Sequence, residues 1–281
     1  MQQLLKSLFF IGIMLFSVSI AMAQESEDME ESEGLQGKFG EFSTVTKAFR
    51  QQPIDGYNLY VPNSCTSESA PYPILVFLQG GKGVGGPVEK IYNWGLPKML
   101  TEGKSLDSEL EQLMLDTFIV IMPHISGGEF FEGQGALKRI IGDVSEQYNV
   151  DNSRIYLTGL SRGGYGTWGL ADDLKDTFAA IAPLAGGGRG IENYKALIGM
   201  PVWVSHNTGD SVVPFSASER VVEKIEATAA YTFTRNTSIS DTDFESLDYI
   251  FTATESDSHD SWTAFYSSPE VYKWFLKYSK K

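Results

Sequence analysis

Arg154-Ile155-Tyr156-Leu157-Thr158-Gly159-Leu160-Ser161-Arg162-Gly163-Gly164-Tyr165-Gly166 is the stretch from which the rest of the chain can be read. Ile155 to Thr158 are β-branched, aromatic or aliphatic, the composition of a strand covered on both faces. Gly159, Ser161 and Gly163 then match G-x-S-x-G, in which a strand turns into a helix at one exposed serine. A serine at such a turn sits in a strained backbone conformation. The flanking glycines let strand and helix approach with no Cβ between them.

Upstream of this turn, Leu137, Ile140, Ile141, Val144 and Tyr148 recur at helical spacing and predict an amphipathic helix. Pro73–Leu78 is an unbroken apolar run, hence a central strand, which empties into Gln79-Gly80-Gly81-Lys82-Gly83. Phe118–Met122 reads as a further buried strand, stopped by Pro123, and Tyr57–Val61 as an early antiparallel strand ending at Pro62. Downstream, Phe178–Ala182 and Val202–His206 read as buried strands and Leu247–Thr252 as the last one. Ser216 and Glu219 fit a capping box for a helix through Val221, Val222 and Ile225. Ser268-Pro269 opens a terminal helix that buries Val271, Phe275 and Leu276. The polar segment Tyr231–Phe244 reads as an insertion or hairpin and is assigned no role. Strands alternating with helices over this length predict an α/β fold, with a mostly parallel sheet and helices on both faces.

A serine hydroxyl is a weak nucleophile at neutral pH, so Ser161 needs a base, and the base needs an orienting acid. The chain has three histidines. After a serine turn of this kind the partners follow in the order acid, then histidine. His124 precedes the serine. His206 ends a buried strand before the acid loop. His259, in Ser256-Asp257-Ser258-His259-Asp260-Ser261-Trp262, remains as the base. The candidate acid is Asp210, in the loop leaving the Val202–His206 strand, at the carboxyl edge where open α/β sheets place their sites. Asp257 and Asp260 are rivals, but they flank His259 on its own loop; Asp241 and Asp248 are weaker still. For an oxyanion, the candidate donors are the backbone N–H of Arg162 and that of Gly81 in the glycine loop. That loop lacks the G-K-[ST] ending of a phosphate-binding loop. Trp94, Trp168 and Trp262 are candidates for lining a sugar or aromatic-acid site, although a core this aromatic takes up tryptophans without such a role.

The 281 residues carry a formal net charge of -14, which argues against nucleic acid or an anionic membrane as partner. Cys65 is the only cysteine, so an intrachain disulfide and a thiolate metal cluster are both excluded. The histidines show no metal-binding spacing, and neither a metal nor a cofactor is expected. Residues 1–23 have the anatomy of a secretory signal: Lys6, an apolar run from Leu8 to Ile20, and Ala21-Met22-Ala23 for cleavage. Its removal predicts a secreted or periplasmic chain without a membrane anchor. Residues 24–38, acidic from Gln24 to Glu33, read as a solvated, disordered linker, and 39–281 as one catalytic domain.

Gly159 to Trp168, Asp210 before Val212-Val213-Pro214, and His259-Asp260-Ser261-Trp262 together resemble the α/β-hydrolase superfamily. More closely they are similar to its secreted carboxylesterase or "predicted peptidase" branch, related to feruloyl and acetylxylan esterases and polyhydroxybutyrate depolymerases. Gly95–Leu100 and Pro183–Gly188 also match segments of that branch. The resemblance implies Ser161, Asp210 and His259 as a triad, and a serine carboxylesterase acting on small-molecule or polysaccharide-linked esters, acyl or feruloyl groups among them. It also implies that the Arg162 guanidinium is available to an oxyanion or a substrate carboxylate, as in glucuronoyl esterases. Relatives usually have His-Gly where this chain has Gln79-Gly80. A prolyl-oligopeptidase-like peptidase is the alternative with the same triad, and a non-catalytic binding protein on a hydrolase scaffold is the third reading.

Overall fold

The Ile155–Thr158 run lies in an eleven-residue strand, Val150–Leu160, at the middle of a ten-stranded sheet. The computed structural model describes residues 30–32, 38–46, 49, 52–103, 105, 107–229, 231–240 and 242–280. The expected signal segment, 1–23, lies outside them. The strands are β1 Glu30–Ser32, β2 Gly40–Thr46, β3 Ile54–Pro62, β4 Tyr72–Leu78, β5 Ile119–Ile125, β6 Val150–Leu160, β7 Ala180–Leu184, β8 Val202–Asn207, β9 Thr234–Asn236 and β10 Tyr249–Thr254. Their order is β1-β2-β3-β5-β4-β6-β7-β8-β10-β9. The first three are antiparallel to their neighbours, and every pair from β5 through β9 is parallel.

Among the described residues, seven α-helices cover the sheet: α1 Gly95–Glu102, α2 Glu109–Asp116, α3 Gln134–Gln147, α4 Arg162–Asp173, α5 Ser216–Thr228, α6 Trp262–Tyr266 and α7 Pro269–Leu276. Side chains alternate along each strand, so both faces become core. Ile74, Val76, Leu78, Ile121 and Leu157 pack with α3, α4 and α5. Leu75, Phe77, Val120, Tyr156 and Trp203 pack with α1, α2, α6 and α7 on the other face. This is why the central strands read as unbroken apolar runs. Pro269 stands at the first position of α7, where its missing N–H has no partner to lose, and Val271 and Phe275 are buried while Leu276 is half-buried.

Four local expectations need correction. β5 runs through Pro123 to Ile125; its pairing with β4 ends at Ile121, so beyond that point one edge has no ladder for proline to interrupt. Ser216 makes no capping box. Phe215 is already helical at φ −46°, ψ −41°, so the helix begins one residue earlier and Ser216 lies inside it. The Tyr231–Phe244 segment contains β9, which lies parallel to β10 and is therefore not a hairpin arm. The Glu226 carboxylate of α5 holds it through Arg235 Nη1 and Nη2, at 2.8 and 2.9 Å, and the Phe233 N–H at 2.7 Å. Within the acidic run, Glu30–Ser32 pairs antiparallel with β2, because an edge strand offers backbone groups whatever the side-chain charge. The rest of residues 24–37 lie outside the described residues.

Glycine content separates into two mechanical classes. A Cβ on Gly163 would fall 2.0 Å from the Leu78 carbonyl oxygen, whereas one on Gly142 in α3 would meet nothing within 4 Å. Gly163→Ala is therefore expected to cost about 2 kcal/mol or more by overpacking. Gly142→Ala should add about 0.5–1 kcal/mol by removing a flexible residue from a helix interior. Urea unfolding midpoints check both.

Candidate active site

β6 ends at Leu160 and α4 begins at Arg162, with Ser161 between them at φ 54°, ψ −114°. An L-residue adopts that conformation only when its surroundings enforce it. Here the Ser161 N–H donates to Leu184 O at 2.9 Å, and its carbonyl accepts the Tyr165 N–H at 3.1 Å. Gly159 and Gly163 supply the clearance: a Cβ on Gly159 would lie 2.6 Å from Gly163 O. The hydroxyl is thereby raised off the carboxyl edge of the sheet.

His259 comes to it from the loop after β10. Its Nε2 lies 2.9 Å from Ser161 Oγ and its Nδ1 lies 2.6 Å from Asp210 Oδ2. Asn207, the last residue of β8, anchors this loop on both sides of the histidine. Its Nδ2 donates to Ser258 O at 2.8 Å and to Asp260 O at 3.2 Å. The His259 side chain is 19% exposed and that of Asp210 fully buried, so burial deepens from the histidine to the aspartate.

Asp210 also shapes its own turn. Its Oδ1 accepts the N–H groups of Val212 at 2.8 Å and Val213 at 3.0 Å. The two oxygens thus divide the two readings of this residue, one holding a turn and the other facing the imidazole. Burial pushes the carboxyl up, but the hydrogen bonds from His259, Val213 and Val212 outweigh it and hold Asp210 below the ordinary carboxylate range. The rival acids have other work. Asp260 Oδ1 accepts the Trp262 and Thr263 N–H groups at the start of α6, at 3.1 and 2.8 Å. Asp257 lies against Gly209, and Asp248 accepts the Tyr278 hydroxyl at 2.7 Å. Asp241 lies outside the described residues.

Arg162 is the first residue of α4 and Gly81 the first of a 3-10 turn, Gly81–Gly83, so neither N–H has an acceptor within its own helix. The Arg162 guanidinium donates through Nη1 to Gly128 O at 2.7 Å, which ties one end of it to the loop after β5. A cleft of about 510 Å³ opens over Ser161 and His259, with Gly81, Lys82, Trp94 and Trp262 among its walls. Trp168 is instead sealed in the core. His124 is buried at the end of β5, with Nδ1 2.6 Å from Asp55 Oδ1, far from the serine in partners and in role. Burial pushes the Cys65 thiol up, as suits an unreactive loop residue. Among the described residues no group of three or more His, Cys, Asp or Glu is placed to hold a metal ion, and no helix is long and apolar enough to cross a membrane.

One contact had almost no sequence signal. His206, set aside as a base, lies fully buried with its Nε2 3.2 Å from Asp210 Oδ2. Only its spacing of four residues from the aspartate hints at it.

Solved structures with this architecture include a thermostable esterase, with a TM-score of 0.63 at 22% identity over 90% of this chain and 63% of that one. A feruloyl esterase module of Clostridium thermocellum, solved with sinapinate, gives a TM-score of 0.62 at 17% identity over 90% and 89% of the two chains. The fold is that of the α/β-hydrolases. Among curated proteins, this chain is 38% identical over 63 residues to poly(3-hydroxyalkanoate) depolymerase C of Paucimonas lemoignei, a match that covers 21% of this chain and 15% of that protein. It is 30% identical over 108 residues to a bifunctional acetylxylan esterase/xylanase of Neocallimastix patriciarum, covering 36% and 16%. The chain thus spans about one sixth of the length of the curated relatives it matches. No family model matches it. Its likeness is to the carboxylesterase branch of the α/β-hydrolases, the one its motifs resemble.

Two outcomes follow from this geometry. Asn207→Ala removes both anchors of the His259 loop and is expected to lower any turnover that depends on the Ser161–His259 contact about 10-fold or more through misplacement, as steady-state kinetics would show. A carboxylate held below its unfolded value of about 3.9 stabilises the fold above that pH and loses the contribution as the pH falls through the depressed value. Asp210→Asn should therefore flatten the loss of stability below about pH 4, measured by urea midpoints across the acid range.

Proposed function

We propose that the protein is an exported serine carboxylesterase, with Ser161 as nucleophile, His259 as base and Asp210 as orienting acid. The observation that carries this is the unbroken line of hydrogen bonds from Asp210 Oδ2 through both nitrogens of His259 to Ser161 Oγ, at 2.6 and 2.9 Å. That line ends on a serine whose backbone is forced into an exposed turn, beneath an open cleft.

The Ser161 oxygen attacks the ester carbonyl carbon while its proton passes to His259 Nε2. Asp210 stabilises the resulting imidazolium and holds its Nδ1–H. The N–H groups of Arg162 and Gly81 are the donors for the tetrahedral oxyanion, and each such donor is worth about 10²–10³ in turnover. When the intermediate collapses, the C–O bond to the alcohol breaks and the alcohol leaves with the proton from His259. Water then gives a proton to His259 and attacks the acyl-serine. The second collapse frees the acid and returns the proton to Ser161 Oγ. No metal or cofactor enters this sequence.

Trp94 and Trp262 on the cleft walls suit a flat acyl group or a sugar ring. With an acetylxylan esterase among the relatives and a feruloyl esterase among the structural neighbours, acyl esters carried on polysaccharide are the proposed substrates. The signal-like residues 1–23 support a secreted or periplasmic site of action for a catalytic domain spanning 39–281. The formal charge of -14 supports neither nucleic acid nor an anionic membrane as partner.

A fluorophosphonate probe should label the wild-type protein and leave Ser161→Ala unlabelled. That variant should lose about 10⁴-fold or more in turnover of p-nitrophenyl esters. Faster cleavage of peptide p-nitroanilides than of esters would replace the esterase by a peptidase. An unlabelled wild type would mean a non-catalytic binding protein. Among acetyl, feruloyl and glucuronoyl esters, a preference for the last would bring in the Arg162 guanidinium.

A further inference from the structure

We propose that His206 is a second imidazole on the acid of the triad: its Nε2–H donates to Asp210 Oδ2, fixes that oxygen for His259, and sets the pH at which His259 becomes a competent base. The inference rests on the serine-hydrolase reading above.

His206 is the penultimate residue of β8 and has no exposed surface. Its Nε2 faces two oxygens, Val213 O at 2.9 Å and Asp210 Oδ2 at 3.2 Å. A carbonyl and a carboxylate can only accept, so a lone pair on Nε2 would point at their lone pairs; the nitrogen must carry hydrogen. On the far side, Nδ1 lies 2.8 Å from Ser218 Oγ, which also reaches Gly186 O at 2.5 Å. With the Ser218 hydroxyl turned to Nδ1, the one hydrogen of the neutral ring stands on Nε2. The Phe215 ring meets the imidazole edge-on at 5.8 Å between centroids. Burial lowers the proton affinity of His206, which favours the neutral ring.

The Asp210 carboxylate thus accepts three N–H hydrogen bonds, from Val212 and Val213 on Oδ1 and from His259 on Oδ2, and Oδ2 also lies 3.2 Å from the His206 Nε2, whose hydrogen it shares with Val213 O. These donors, with the shared His206 N–H, restrain the rotation of the carboxylate and spread its charge. The share of charge taken by His206 is withheld from His259. With that donor gone, Asp210 would bind the His259 imidazolium more strongly. His259 would then hold its proton to higher pH, and the acidic limb of kcat/KM, which reports the free enzyme's base, would move up. The other charged groups around the pair are Asp257 and Asp260 on the His259 loop, Lys82 across the cleft and Arg162 on α4. None of them changes in the variants below, so the comparison isolates His206.

The pH dependence of kcat/KM on a p-nitrophenyl ester, in three variants of the full chain, tests the proposal. His206→Phe keeps the ring shape without a donor. His206→Asn places its amide nitrogen near the Nδ1 position. His206→Gln places one near the Nε2 position and restores the donor. The acidic limb should rise by about 0.5–1 pH unit in His206→Phe and His206→Asn. In His206→Gln it should stay within about 0.2 unit of the wild type. A ring that only fills space would change melting temperature and kcat but leave the limb where it is. Long-range ¹⁵N–¹H spectra of the wild-type histidines at pH 8 give a test that needs no variant, and should show His206 with hydrogen on Nε2. An unmoved limb in folded His206→Phe and His206→Asn, or a wild-type His206 with its lone pair on Nε2, overturns the proposal. Retained turnover in Ser161→Ala would instead remove the underlying triad. An inactive Ser161→Ala beside an unmoved limb removes only the role of His206.

Discussion

The backbone at Ser161 is the constraint on which everything else here depends. A positive φ at a serine costs on the order of 1–3 kcal/mol and persists only where the surrounding packing dictates it. Three local features do so in this chain: the Leu184 carbonyl takes the Ser161 N–H, the first turn of α4 takes its carbonyl, and the glycines at 159 and 163 let β6 and α4 close on one another. Because β6 sits centrally in a parallel sheet covered by helices on both faces, the serine cannot relax sideways. Its hydroxyl therefore stands at a fixed point on the carboxyl edge, and Asp210 and His259 are brought to it by the loops after β8 and β10.

Those two loops are tied to each other before either meets the serine. Asn207 at the end of β8 holds the carbonyls on either side of His259, and Asp210, three residues later, holds the ring itself. β8 and β10 are parallel neighbours, with His206 opposite Ala253 and Asn207 opposite Thr254, so their exits lie side by side. A buried carboxylate is costly unless hydrogen bonds replace its water. At Asp210 the donors are sufficient to reverse the effect of burial, which favours a negative charge behind the imidazole. The electrostatics of the site and the stability of its loops are thus one set of contacts.

The cleft walls follow from the same edge geometry. Trp94 precedes α1 and Trp262 opens α6, two helices that pack on one face of the sheet. Both indoles are half-buried beside the serine, whereas Trp168, on the inward face of α4, is sealed between that helix and the sheet. The three tryptophans differ in side-chain environment only because the helices carrying them meet the sheet edge differently.

Local chemistry was enough to read much of this from the chain. The Ile155–Gly166 turn, the apolar strands at 73–78 and 202–206 and the proline-started helix at 269 are each written in neighbouring residues, since strand burial, glycine clearance and proline geometry act over a few positions. Short polar stretches were less legible. The strand through Pro123 depends on where a neighbouring ladder stops, β9 on a carboxylate from α5, and the missing cap at Ser216 on how the chain leaves Pro214. The sequence by itself determined which serine stands at the turn and narrowed its candidate partners to His259 and Asp210, by order along the chain. Only the tertiary structure decided that Asp260 caps a helix, that Asn207 anchors the histidine loop and that His206 turns its Nε2 to the acid. Those contacts join side chains whose spacing carries no periodicity; the pairing of β8 with β10 and the burial of Asp210 bring them together.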